Sequence, residues 1–360
     1  MKKISLESVL LGLSLMIGGL VFSLLIALSV LVWQLGIKYD RFLTGAGLTH
    51  DQFVRKMTVL PYSQKFEPDE QVNFLLLGVD SLESRPGSPA LTDTIMLFSL
   101  DLETDQILSL PLPRDLWTEA YQTKINALYV YGQEKYPDRP EKFSEEVIEQ
   151  MTGVPIDYTL VVSLDQLAGL IDLVGGIKVE VKQGFSDDQF PRPDVDVTQV
   201  TNPQLLYQTI TFEAGEQLMS GERSLQYIRS RKSTDKQEGN DLARGERQQQ
   251  VIQALANRLT DPWLYWRQPE TAGQLFRFYL DNFEHQLPLG DLLNLGEQLL
   301  PDIKQLTYSS SILSVYPDDE LGAITHPPVK TNRYQGQWVY EPTDPTLFKD
   351  QVLRSLEIRE

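Results

Sequence analysis

Between Gly221 and Gln250 the chain reads GERSLQYIRSRKSTDKQEGNDLARGERQQQ, and its arginines recur at spacings suited to anion chemistry. Arg229 and Arg231 lie two apart in a short, aromatic, β-compatible run beginning at Ser224. In a strand that spacing puts both on one face. A polar loop, residues 232–240, follows. A helical pattern then stacks Arg244, Arg247 and Gln248 at i, i+3 and i+4. Guanidinium forks bind phosphate oxygens in a bidentate geometry that lysine cannot match. In a chain of net charge −18, such a gathering asks for an anion. The competing reading is a set of salt bridges to Glu238, Asp241 and Glu246.

Composition removes several function classes. The acidic balance argues against a nucleic-acid partner, which would need a basic surface. No cysteine is present, so disulfides and thiolate metal sites are excluded. The histidines His50, His285 and His326 are scattered without ligand-like spacing, which speaks against a histidine zinc site. No G-x-S-x-G occurs, so a hydrolase triad has no support.

Elements that would position the arginines can be read on either side. Residues 1–8 form a short tip with Lys2 and Lys3, and residues 9–33 run 25 positions without a charge. At 1.5 Å per residue that run spans a hydrocarbon core of about 30 Å. We read residues 9–36 as one retained transmembrane helix, with its N-terminus cytoplasmic, the remainder extracytoplasmic and Trp33 at the outer interface. Residues 37–70 read as a stalk. VNFLLLGVD, TDTIMLFSLD and ILSLPLPRD then read as three strands, each ending in an Asp or Arg that can meet the others in one crevice. Helices are expected from Lys124, over 144–151 with Ser144 as cap, over 164–174, from Leu242 to Leu259, over 287–300 and over 345–358. Strands are expected within 153–162, 177–181 and 306–315, and residues 184–204 read as a loop. The alternation predicts an α/β fold.

LLLGVD, TDTIML, LPLPRD, KINALYVYG, GGIKVEV, GERSLQYIRSR and DLARGERQQQ follow one another in the order of the LytR-CpsA-Psr family, which residues 71–260 resemble. The resemblance implies a membrane-anchored phosphotransferase of the cell envelope. Such an enzyme moves a glycopolymer phosphate from a polyprenyl-diphosphate carrier to an acceptor such as peptidoglycan. The implied fold is an α/β/α-like sandwich on a central mixed sheet, with an apolar tunnel for the lipid. The domain would cover 71–305, with 306–360 as C-terminal completion or accessory segment.

By the same resemblance Arg229 and Arg231 bind the diphosphate, Arg114 is a further phosphate arginine, and Arg244 and Gln248 reach the headgroup from a helix. Asp80 and Asp93 match aspartates associated with Mg²⁺, and Asp93 or Asp241 is the candidate base. Leu128 to Tyr131, residues 160–173, and Ile252, Leu255 and Leu259 are candidate tunnel lining. One position departs from the pattern: Leu91 stands where the family often has an arginine, a role Arg85 can take over. Hydrolysis of the diphosphate and non-catalytic lipid binding with a regulatory role are the competing functions.

Overall fold

The computed structural model describes residues 32–59, 65–79, 90–192, 205–233, 241–299, 307–319, 322–328 and 332–359. The side chains of 241, 242 and 332 lie outside that description. Most of the expected anchor, together with Asp80 and Arg85, also falls outside it. Among the described residues no helix is long and apolar enough to cross a membrane.

Two compact units partition the chain. The smaller joins the residues up to Val59 with Pro262–Phe278. It contains α1 (residues 32–46) and α2 (His50–Thr58), so the segment expected as a stalk is helical over much of its length. Thr49 caps α2 and forms a capping box with Gln52.

The larger unit is built on a five-stranded sheet. β1 (Gln71–Val79), β2 (Thr92–Asp101) and β3 (Gln106–Pro111) form an antiparallel meander. A small hairpin, β4 (Trp117–Thr118) with β5 (Thr123–Lys124), leads to α3 (Leu128–Lys135) and α4 (Glu141–Thr152). β6 (Tyr158–Ser163) then pairs parallel to β1 and passes into α5 (Leu164–Leu173). A second layer of strands follows: β7 (Ile177–Val181), β8 (Phe185–Pro191), β9 (Tyr207–Phe212) and β10 (Gly215–Met219). Next come α6 (Gly221–Arg229) and α7 (Asp241–Leu259); α8 (Pro262–Arg267) and α9 (Pro269–Asn282) up to Phe278 belong to the smaller unit, and α10 (Leu289–Leu299) is again in the larger. β11 (Thr307–Ser310) returns to the sheet parallel to β3. The chain ends in the short strands β12 (Val315–Tyr316), β13 (Ile324–Thr325) and β14 (Glu341–Pro342) and in α11 (Pro345–Ser355).

Period-two alternation explains why this sheet is covered twice. Leu75 and Leu77 of β1 point with Ile95, Leu97 and Leu110 into a core closed by Phe143, Val147 and Ile148 of α4 and by Phe348 and Val352 of α11. Val72 and Phe74 face the other way, with Leu100 and Tyr158, against Leu292 and Leu295 of α10. Helices on both faces of a mixed sheet match the expected sandwich.

Three local expectations need correction. Residues 224–231 are not a strand; they lie mostly in α6. Ser220 caps that helix by accepting from the Arg223 amide, Glu222 sits in its first turn, and Gly221, Ser224, Tyr227 and Ile228 form the buried stripe at helical spacing. Ser144 is not a cap, because α4 begins at Glu141 after Pro140 and buries Ser144 inside. Residues 184–204 are not wholly loop, since β8 and β9 pair across 185–191 and 207–212.

α6 approaches α5 closely enough that a Cβ on Gly221 would lie 2.2 Å from the Ala168 carbonyl oxygen. The Gly221 amide also donates to Asp172 at 2.8 Å. Gly221→Ala is expected to cost about 1–3 kcal/mol, the usual price of overpacking, read as a lower urea midpoint at unchanged slope. An unaltered midpoint would show that α6 has room to move.

Candidate functional site

A cavity of about 310 Å³ opens where the sheet meets the second layer. Gly78 and Val79 at the end of β1, Asp93 and Thr94 of β2, Arg229, Arg231 and Lys232 around the end of α6, and Arg244 and Gln248 of α7 line it. Leu164, Phe190 and Tyr207 supply apolar wall. Four cationic side chains thus face two carboxylates, Asp93 and Asp187, among the described lining residues.

Each group arrives there for a local reason. Gly78 pairs with Thr94 and Val79 with Thr92, so Asp93 is the extra residue of a β-bulge. Bulges re-aim side chains next to sites, and here the bulge turns the carboxylate to the cavity. Gly78 is required by the same close approach: a Cβ there would stand 2.8 Å from the Thr94 Cβ.

Arg229 and Arg231 were expected to share a strand face. Instead Arg229 occupies the last turn of α6 and Arg231 the extended segment beyond it. Asp187 brings them together. Its buried carboxylate accepts from the Ser230 hydroxyl at 2.7 Å and from the Arg231 and Lys232 amides at 3.1 and 3.0 Å. The Gln189 amide adds 3.0 Å to the other oxygen. Burial would push this carboxyl up, but the hydrogen bonds from Ser230 and from the Lys232, Gln189 and Arg231 amides outweigh it and hold its pKa below the ordinary value.

Arg247 has a different role from its helix neighbours. It is buried, donates to the Tyr227 carbonyl at 3.0 Å and the Ser230 carbonyl at 2.7 Å, and lies 4.9 Å over the Phe185 ring. These bonds tie α7 to the carbonyls that end α6. Arg244 and Gln248, on the neighbouring side of α7, line the cavity.

Arg114 borders a second cavity of about 100 Å³ that shares Asp93, Thr94, Arg244 and Gln248 with the first. Its guanidinium bonds Asp93 at 2.6 Å and lies 3.5 Å from Asp115, which Lys124 grips at 2.6 Å. The C-terminal segment holds this loop in place: Trp117 donates to the Tyr340 carbonyl at 2.7 Å, and Tyr340 donates to the Asp115 carbonyl at 3.0 Å. Asp241 begins α7, with its side chain outside the described residues. Leu91 is half-buried just ahead of β2.

Lys232 and Asp187 were missed by sequence reasoning. Lys232 follows the arginines directly and opens a polar stretch with no pattern that singles it out. Asp187 sits in FSDDQFP, where no periodicity marks one aspartate as buried. Of the expected tunnel residues, Leu164 borders the cavity, while Leu128 and Leu255 are buried. Leu160, Val162, Leu167 and Leu170 along β6 and α5 remain half-buried.

The model of the LytR-CpsA-Psr family matches residues 46–344. The chain belongs to that family. A relative from Oceanobacillus iheyensis, named polyisoprenyl-teichoic acid–peptidoglycan teichoic acid transferase TagU, is 28% identical over 236 residues, 65% of this chain and 64% of its own. The Bacillus subtilis protein of the same description, TagV, is 29% identical over 194 residues, covering 52% of this chain and 44% of its own. This LytR-CpsA-Psr chain therefore spans 44–64% of the length of those curated relatives. The crystal structure of B. subtilis TagV superposes with a TM-score of 0.53 at 20% identity, over 82% of this chain and 100% of that one. That likeness concerns the fold.

Replacing Asp187 by Asn should lower stability by about 1–3 kcal/mol, because buried donors lose their charged acceptor. A carboxyl with a lower pKa folded than unfolded contributes fully above about pH 4 and loses its contribution as pH falls through the lowered value. The gap in unfolding midpoint between wild type and Asp187→Asn should therefore narrow on acidification below about pH 4. A gap independent of pH would contradict the role given to Asp187.

Proposed function

We propose that this chain is a membrane-anchored phosphotransferase that moves a glycopolymer phosphate from a polyprenyl-diphosphate carrier to an envelope acceptor such as peptidoglycan. The observation that carries this reading is the convergence of Arg229, Arg231, Lys232, Arg244 and Gln248 on one cavity beside Asp93. The name of the O. iheyensis relative, a teichoic acid transferase, supports the same substrate class. The uncharged run 9–33 supports the anchor, which places the remainder outside the cytoplasm of a single-pass protein.

In this reading the diphosphate lies among the arginines, and the lipid leaves the cavity past Leu164 along the half-buried residues of β6 and α5. The acceptor hydroxyl approaches by the smaller cavity, so the Asp93–Arg114 pair stands between donor and acceptor. Its oxygen bonds to the phosphorus nearer the glycan, the bond from that phosphorus to the bridging oxygen breaks, and lipid monophosphate departs. The hydroxyl proton passes to a carboxylate, Asp93 or Asp241. Phosphoryl transfer is mostly positioning and neutralisation of developing charge, which Arg229, Arg231 and Arg244 provide.

Asp93 is also a candidate ligand for Mg²⁺, although Arg114 bonds it at 2.6 Å. Asp93 offers a half-exposed hard oxygen donor beside the phosphate cavity, and Mg²⁺ takes one or two carboxylates plus phosphate oxygens. Asp93 would hold the ion, with Asp80 as its partner in sequence. When bound, Mg²⁺ neutralises phosphate charge.

The test combines purified protein, Mg²⁺, a short lipid-diphosphate sugar and peptidoglycan fragments. Coupled product supports transfer; free sugar phosphate points to hydrolysis; binding without turnover points to a non-catalytic role. Arg229→Ala and Arg231→Ala should each abolish transfer and weaken donor binding by about 1.5–3 kcal/mol, roughly 10- to 150-fold. Full activity in both would overturn the site. Asp93→Asn should flatten the dependence on Mg²⁺, and a magnesium titration identical to wild type would remove Asp93 from the metal.

A further inference from the structure

In the smaller unit, α8 has the sequence PWLYWR and shows its aromatic rings to solvent. Trp263 is 59% exposed, Trp266 47% and Tyr265 38%. Trp33 on α1 is 68% exposed, with Val32 and Leu35 also exposed. Large apolar side chains exposed next to one another mark an interaction surface.

Packing fixes where these rings lie along α1. A Cβ on Gly273 would come 2.0 Å from the Phe42 carbonyl oxygen, and one on Gly45 would come 2.0 Å from that of Glu270. α1 and the start of α9 are therefore in backbone contact. Phe42 and Phe276 add a ring contact at 5.8 Å. Nearer the start of α1, Lys38 donates to the Trp266 carbonyl, with its ammonium 4.1 Å over the Trp266 ring. Trp266 thus sits at the level of Lys38, roughly 7–8 Å along the helix from Trp33 at 1.5 Å per residue. The uncharged stretch continues past Trp33 to Ile37, so Lys38 is the first charge after it. Each headgroup layer is about 5–8 Å thick, so α8 falls at the depth of that layer.

We propose that α8 is an interfacial membrane foot, with Trp263, Tyr265 and Trp266 lying in the headgroup layer of the bilayer that the run 9–33 enters. This rests on the reading of that run as an anchor. Trp and Tyr prefer this layer because the ring is apolar and its edge carries a polar group. Lys38 and Arg267, which lies 5.2 Å over the Trp263 ring, present charge to lipid phosphates there. The foot would add a second attachment beside the helix and limit the tilt of the smaller unit against the bilayer.

The absence of native cysteine makes the test clean. Full-length Trp33→Cys, Trp263→Cys and Trp266→Cys variants are spin-labelled and reconstituted in vesicles of phosphatidylglycerol and phosphatidylethanolamine. Collision with oxygen, which concentrates in lipid, is compared with collision with an aqueous nickel chelate. Labels at 263 and 266 should favour oxygen relative to a label free in buffer, approaching the ratio at 33. An aqueous ratio at 263 and 266 with a lipid ratio at 33 overturns the foot and leaves the anchor standing. Shielding of 263 and 266 from both reagents overturns it in favour of a protein partner. An aqueous ratio at 33 as well removes the anchor, and the foot with it.

Discussion

Gathering like charges around one cavity is the constraint on which the larger unit is built. Two cations roughly 6 Å apart at an effective dielectric near 20 repel by about 3 kcal/mol, so four of them do not assemble by default. Fixed carboxylates and stiff backbone hold them here. Asp187 grips the chain from Ser230 to Lys232, Arg247 ties the same turn to α7, and Asp93 bonds Arg114 from a bulge in the central sheet. The arrangement is prepaid during folding, and an arriving polyanion recovers the repulsion. Such preorganisation is what charge-stabilising sites require.

The central sheet was legible because its residues obey simple rules. VNFLLLGVD, TDTIMLFSLD and ILSLP are apolar on both faces, as buried strands must be, and they became β1, β2 and β3. GGIKVEV became β7 behind two glycines of positive φ. The site was legible as residue types and order, yet the geometry proposed for its first arginines was wrong. Spacing by two was read as a strand, whereas Ser220 and the stripe 221, 224, 227 and 228 specify a helix. Arg229 and Arg231 still converge, because Asp187 turns the chain just after the helix ends. That contact spans 43 residues between Asp187 and Ser230, and no local pattern encodes it. Arg247 illustrates the converse. It stands among the arginines at ideal helical spacing, but its side of α7 faces the protein interior, where it serves as a strut.

The C-terminal segment completes the same frame. β11 covers the edge of β3, α11 fills the core beneath β1 and β2, and Tyr340 brackets the loop that carries Arg114. The smaller cavity is consequently walled by sheet-end residues, by α7 and by the C-terminal chain. Parts far apart in sequence thus share responsibility for one carboxylate–guanidinium pair.

The most direct check of the central claim is a crystal structure of this protein with a short-chain polyprenyl diphosphate. The account places its phosphates between Arg229, Arg231, Arg244 and Gln248, with the first isoprene units against Leu164. Phosphates seated away from these arginines, or an isoprene chain lying outside the cavity, would contradict it.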